Sequence, residues 1–259
     1  MNKRSLVFIA LLLVGSIKVL SQQKSMISLS IGTSQPIGSF AQKDSSSVLY
    51  LLNSNQIHTN AGFAKTGVNI ALDYRYAINI KWGLLLKIKG QQNTCNSSAL
   101  TNFYTQSSND SWANQKNVTI GKWLSGSVLA GGYYTLFSTG VKHKIDVQAN
   151  AMGGILKSSV PSSWVAFLNT STYQAGVNSS PKRDMNIGFC YLIGADLFYH
   201  FNKSIDFIGS IDYSGAFLKE SYFQIIPTGS SIPSYTSKPY IVKFNPSTLN
   251  INVGIGIEF

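Results

Sequence analysis

Apolar and polar residues alternate one for one along eight stretches of this chain. The clearest is Leu249-Asn250-Ile251-Asn252-Val253-Gly254-Ile255-Gly256-Ile257-Glu258-Phe259, where every odd position is apolar and every even one is Asn, Gly or Glu. A period of two is that of a β-strand with one apolar and one polar face. The same pattern predicts strands over 26–34, 63–76, 82–90, 123–136, 145–155, 187–201 and 205–216. Ile27, Leu29 and Ile31 share a face in the first; Val68, Ile70 and Leu72 in the second; Leu84, Leu86 and Ile88 in the third; Ile205, Phe207, Ile211 and Tyr213 in the seventh. Each stretch is about the 9–11 residues with which a tilted strand crosses a bilayer, or somewhat more.

The connections alternate in length. Short ones fall at 77–81, 137–144 and 202–204; long ones at about 35–62, 91–122, 156–186 and 217–248. Short turns on one side and long loops on the other predict an all-β, eight-stranded, antiparallel, up-and-down transmembrane β-barrel with short periplasmic turns and four long extracellular loops. Aromatics reinforce this reading. Tyr74, Tyr76, Trp82, Tyr134, Tyr199, Phe201, Phe207 and Phe259 lie on the outward faces near short turns or the last residue, as a girdle at the periplasmic interface would. Phe189, Tyr191 and Trp123 are candidates for the opposite girdle. The apolar clusters 48–52, 164–168 and 240–242 either continue strands beyond the membrane, pack a loop cap, or add two strands to make a barrel of ten.

Composition supports the same class. Charged residues are 12%, about half the roughly 25% of an ordinary soluble chain. Beyond the N-terminus there is no apolar run of the roughly 20 residues that a membrane helix needs. Residues 1–21 read as a secretory signal: Lys3 and Arg4 open it, Leu6 to Gly15 form a short apolar core, and Val19 and Ser21 suit a cleavage site. The mature domain is then 22–259. Loss of Lys3, Arg4 and Lys18 takes the formal net charge from +11 to +8. The remaining bases are scattered, without the basic-aromatic pattern of a nucleic-acid surface, so an acidic lipid headgroup surface is the expected counterpart and nucleic acid is not.

The pattern resembles the eight-stranded outer-membrane β-barrel family typified by the OmpA membrane domain and OmpX, over residues 26 to 259. The resemblance rests on strand number, loop alternation, the terminal Val253-Gly254-Ile255-Gly256-Ile257-Glu258-Phe259, and Ser34-Gln35-Pro36-Ile37-Gly38-Ser39-Phe40 after the first strand. It implies residence in the outer membrane of a Gram-negative cell, contact with outer-membrane lipid, and a C-terminal strand ending on Phe259 that serves as the signal to the barrel-insertion machinery. No wall-binding domain is expected after the barrel.

The inward faces carry the chemistry. Lys65, Asp73, Arg75, Lys87, Lys89, Asp146, Asp196, His200, Asp206, Asp212 and Glu258 all fall on them. Depth along the strands places Arg75, Asp146, His200, Asp206 and Glu258 near the periplasmic mouth, and Lys87, Asp196 and Asp212 mid-lumen. Asp196 and Asp212 on neighbouring strands repel, which Lys87 or Lys89 would relieve. Such charges form a salt-bridged plug, since eight strands leave an interior that side chains fill; the other reading is an ion path. His200 with Asp206 or Ser210 is the one conceivable enzyme grouping, and it lacks an oriented nucleophile; no catalytic residue is assigned. No CxxC, HxxxH or acidic run indicates a metal, and no cofactor is implied. Cys95 and Cys190 are both expected at the extracellular side, where a disulfide between them is one outcome and two free thiols the other.

Together these features predict a non-enzymatic barrel whose loops bind an extracellular or envelope partner or serve envelope structure. The alternatives are narrow-pore transport, a secretion-accessory barrel, a lipid-acting enzyme and a secreted soluble β-protein.

Overall fold

Strands β1 and β14, the outermost in sequence, lie side by side and close the sheet on itself in the computed structural model. The structure describes residues 25–42, 62–98, 115–139, 144–159, 163–168, 174–179, 186–202, 204–222, 225–226, 235–236 and 240–259. In chain order the strands are β1 (Ser25–Ile37), β2 (Ala64–Ala77), β3 (Trp82–Cys95), β4 (Gln115–Ile120), β5 (Lys122–Thr139), β6 (Ile145–Ser159), β7 (Ser163–Leu168), β8 (Gln174–Ser179), β9 (Asn186–His200), β10 (Ile205–Tyr222), β11 (Ile225–Ile226), β12 (Tyr235–Thr236), β13 (Tyr240–Phe244) and β14 (Ser247–Glu258). A 3-10 turn, Gly38–Phe40, follows β1.

Eight of these make the barrel, in the order β1-β2-β3-β5-β6-β9-β10-β14, antiparallel throughout. The closing seam runs from Met26 opposite Glu258 to Ile37 opposite Ser247. Ser25 and Phe259 exchange both backbone bonds, at 3.1 and 2.9 Å. The expected eight-stranded architecture is therefore the one observed, and there is no ten-stranded barrel. The residues read as two further strands go elsewhere. β7 belongs to a second sheet of order β12-β11-β8-β7-β4, and β13 pairs with the upper part of β10. The β4–β7 pairing carries the β5–β6 hairpin onward past Leu124 opposite Ser159. The 48–52 cluster and residues 1–21 lie outside the described residues.

The side chains are distributed inside out relative to a soluble protein. Leu29, Ile70 and Val253 are 56%, 50% and 66% exposed, and similar residues ring all eight strands. A soluble monomer seldom exposes more than a few hundred Å² of contiguous apolar surface. The outward alternate positions form the apolar band of a bilayer-spanning barrel, and the inward ones hold Asp, Asn, Ser, Lys and Arg. Among the described residues every Asp is buried in the lumen, and Glu258 is half-buried there.

Two short turns use the same device. The Asn79 side-chain oxygen accepts from the amides of Lys81 and Trp82, and that of Asn202 accepts from those of Ser204 and Ile205. An Asn whose side chain caps the amides two and three residues on replaces a backbone turn bond. The eight outward aromatics all sit toward this rim. The rings of Trp82 and Tyr134 are 4.6 Å apart, and Phe207 lies 6.5 Å from Tyr199 and 5.9 Å from Phe201.

Two bulges alter the expected faces. A register shift between Ala64 and Gly67 turns Lys65 out to solvent, correcting its expected place in the lumen. Its carbonyl, displaced by the bulge, accepts from Asn93 Nδ2 at 3.0 Å. A second shift between Thr135 and Phe137 leaves both Leu136 and Phe137 outside.

Candidate functional site

The inward face is ordered by depth, and cross-strand register decides which charges meet. Asp73 and Lys87 are directly opposite on β2 and β3, and their side chains pair at 3.3 Å. Asp212 faces Asn250 across β10 and β14, accepts its amide at 2.7 Å and that of Asn252 at 3.1 Å, and lies 3.5 Å from Lys89 Nζ. Asp196 takes Arg75 Nη2 at 2.6 Å together with the Asn150 amide. The second Arg75 nitrogen, Nη1, donates to Gln148 at 2.7 Å. The guanidinium lies between the Phe198 ring, 4.7 Å from its centroid, and the Tyr133 ring at 5.4 Å. An arginine held by a carboxylate, an amide and two ring faces is fixed in place.

The expected relief of the Asp196–Asp212 repulsion by Lys89 is seen at Asp212, and a different cation serves Asp196. Lys87 is taken by Asp73, Lys89 serves Asp212, and Arg75 reaches up from its strand end to neutralise Asp196. Sequence depth located the Cα of Arg75; a long side chain carries its charge well beyond that point.

The same strands also place apolar residues inside. Leu85, Leu129, Tyr133, Met152, Cys190, Leu192 and Ala216 form one buried cluster, and Met26, Phe198 and Ile208 another. Leu192, Phe198 and Ile208 share the inward parity of Asp196, Asp206 and Asp212, which the sequence reading did not use for them. Gly83 makes room for this wedge, because a Cβ there would come within 2.3 Å of the Tyr133 ring.

The lumen closes at the loop rim. Phe40 from the 3-10 turn meets Trp123 edge to face at 5.2 Å, with Ala64, Cys95 and Leu218 packed around them. Trp123 Nε1 donates to the Gly62 carbonyl at 3.0 Å. A Cβ on Gly62 would lie 2.5 Å from the Phe40 carbonyl oxygen, so this approach needs glycine. Trp123 is therefore a lumen cap and not part of an outer girdle; its parity is that of inward Ser125, Ser127 and Tyr133. Beneath the cap, between Lys89, Asn93 and Thr248, the open space is about 40 Å³, enough for one or two waters. Cys95 belongs to the cap and Cys190 to the wedge below, with Leu156 packed against both. The disulfide does not form: both are buried free thiols in separate layers.

The short-turn mouth is built differently. A vestibule of about 390 Å³ opens there, lined by Arg75, Asp146, His200, Asp206 and Glu258 among others. His200 Nε2 lies 3.0 Å from Asp146, and its Nδ1 lies 2.8 Å from Asp206 and 3.5 Å from Glu258. Lys144, half-exposed, reaches Asp146 at 2.8 Å. The Ser210 hydroxyl accepts instead from Asn252 at 3.0 Å. Both imidazole nitrogens face carboxylates, so Ser210 and His200 are not arranged as nucleophile and base.

The chain matches no protein-family model and no curated protein sequence. Solved structures resemble it at low identity. Ail, the attachment invasion locus protein of Yersinia pestis, is 12% identical with a TM-score of 0.39, over 91% of this chain and 98% of that one. The outer membrane protein OprG from Pseudomonas aeruginosa is 14% identical with a TM-score of 0.44, over 91% and 95%. A major outer membrane protein from Thermus thermophilus is 8% identical with a TM-score of 0.44, over 91% and 99%.

Proposed function

We propose that this chain is an outer-membrane β-barrel that conducts no solute and serves as a rigid anchor for its loop-end sheet. The observation that carries this reading is the filled lumen inside an apolar wall. Three buried ion pairs lie in it, two of them joining non-adjacent strands, an apolar wedge fills one side, and the Phe40–Trp123 cap covers the loop end. Such a lumen is a core and not a path. Among the described residues, the sheet of β4, β7, β8, β11 and β12 beyond the loop rim is what the barrel offers to an outside partner, and recognition concentrates on segments carried by rigid scaffolds. The partner is an extracellular or envelope protein. Residues 1–21 direct export, and the β14 strand ending on Phe259 engages the insertion machinery. The short turns then face the periplasm, with the girdle from Tyr74 to Phe259 at that interface.

The test is mobility of unboiled against boiled protein from outer-membrane fractions, followed by planar-bilayer recording. The expected result is a faster unboiled band in that fraction and no stepwise current. A soluble protein without a band shift would end the barrel reading. Stepwise current from the purified barrel would replace the anchor with narrow-pore transport.

A further inference from the structure

Three strands bring ligand atoms to one point at the short-turn mouth. His200 ends β9, Asp206 stands opposite it near the start of β10, and Glu258 ends β14 on the other side of β10. One ligand atom from each lies within 4.8 Å of the other two. Asp206 is the decisive member. It is 0% exposed, and neither of its carboxylate oxygens accepts a hydrogen bond. Its Oδ1 lies 2.8 Å from His200 Nδ1, a cationic partner only when that ring is protonated. Burying an ionised carboxylate without donors is costly unless a cation meets it. Elsewhere in the lumen each Asp has such a partner: Asp73 has Lys87, Asp196 has Arg75 and Asp212 has Lys89. At the mouth, Asp146 meets Lys144 and His200, and His200 Nδ1 faces both Asp206 and Glu258.

We infer that His200 Nδ1, Asp206 and Glu258 form a binding site for a divalent transition-metal ion of the zinc type, with Asp146 holding the imidazole from behind. A metal-bound histidine commonly gives its other ring N–H to a carboxylate, which fixes the tautomer and the ring plane. Asp146 stands in that position, 3.0 Å from Nε2. Ligand atoms around a tetrahedral ion with bonds of about 2.0–2.1 Å are roughly 3.3 Å apart. The distances from Nδ1 to Asp206 and Glu258, 2.8 and 3.5 Å, bracket that value. One imidazole with two carboxylates suits a first-row divalent ion better than calcium or magnesium, which prefer oxygen alone. The vestibule leaves water free to complete the coordination. The ion would clip β9, β10 and β14 together. The site depends neither on the membrane that holds the barrel nor on what its loops contact.

The test uses the full-length barrel folded in detergent, free of affinity tag and treated with chelator, with His58→Asn and His143→Asn so that His200 is the sole histidine. Zinc ion is titrated by calorimetry, and the cold-against-boiled band shift confirms the fold of every variant. One saturable site is expected, at least 100-fold weaker in Asp206→Asn and about 10–100-fold weaker in Asp146→Asn. Nitrogen NMR of the single imidazole gives a readout that needs no site variant. Zinc removes any Nδ1 proton and leaves Nε2–H in place. A folded parent with no saturable zinc binding up to about 1 mM overturns the proposal. Binding unchanged by Asp206→Asn, or an imidazole that keeps both ring protons in excess zinc, does so too; the cluster is then a protonated histidine clasp.

Discussion

The two ends of this lumen are opposite answers to one problem. Eight strands leave a narrow tube that must be filled, and at the loop rim the chain has length to spare. After β1 it makes the Gly38–Phe40 turn and drives a phenyl ring onto Trp123, and little space remains beneath. At the other rim two described connections are tight turns capped by Asn79 and Asn202, and among the described residues the vestibule stays open over the His200 cluster. Midway, each carboxylate meets a lysine or an arginine; at the open mouth one histidine lies within 3.5 Å of three carboxylates, one of which Lys144 also holds. The barrel is a cup, and which end is sealed follows from connection length.

The strongest way to test the contrast is to break an interaction in the filled interior, one in the cap and one at the open mouth, all in the same units. Asp196→Ala leaves Arg75 buried without its carboxylate, where both side chains are almost fully enclosed. Urea unfolding in detergent should show a loss of about 3–5 kcal/mol. Trp123→Ala removes half of the cap and should cost a similar or slightly smaller amount, about 3–4 kcal/mol within the range for large aromatics. The same variant should speed maleimide labelling of Cys95, which packs in the cap, while Cys190 in the wedge below stays slow. Equal acceleration of both thiols would show that cap and wedge are one unit. Trp123→Ala should still pass no stepwise current in a planar bilayer, because the Lys89–Asp212 and Lys87–Asp73 layers remain beneath it; current from that variant would make the cap the sole seal. The smallest effect belongs to the open end. Lys144→Ala removes a half-exposed ion pair and should change stability by about 0–1 kcal/mol.

The barrel was legible because its signal is a parity. A period of two, repeated over eight stretches, assigns faces without knowledge of partners, and Leu29, Ile70 and Val253 fall outside as that parity requires. Parity fails where one residue is inserted, so the bulges put Lys65 outside and leave Phe137 beside Leu136. Trp123 was misplaced for another reason: aromatic character was weighed above its own odd position. The ion pairs were only partly legible. Asp73 with Lys87 is a direct cross-strand pair, but Asp196 with Arg75 spans the tube between β9 and β2, and side-chain reach decides it. The mouth cluster has no local motif at all, since its members come from β6, β9, β10 and β14 and meet only after closure.

That closure carries a kinetic consequence. The β1–β14 seam joins residue 26 to residue 258, nearly the whole span of the sequence, so the contact that closes the barrel is also the one most distant along the chain. Pairings between residues so far apart are slow, because the ordering of the intervening chain precedes any return from the contact. Until β14 arrives, Asp212 lacks Asn250 and Asn252, and an assembling sheet presents its polar inner face through an open flank. The zipper's final tooth therefore completes two things at once, the cylinder and the solvation of its charges.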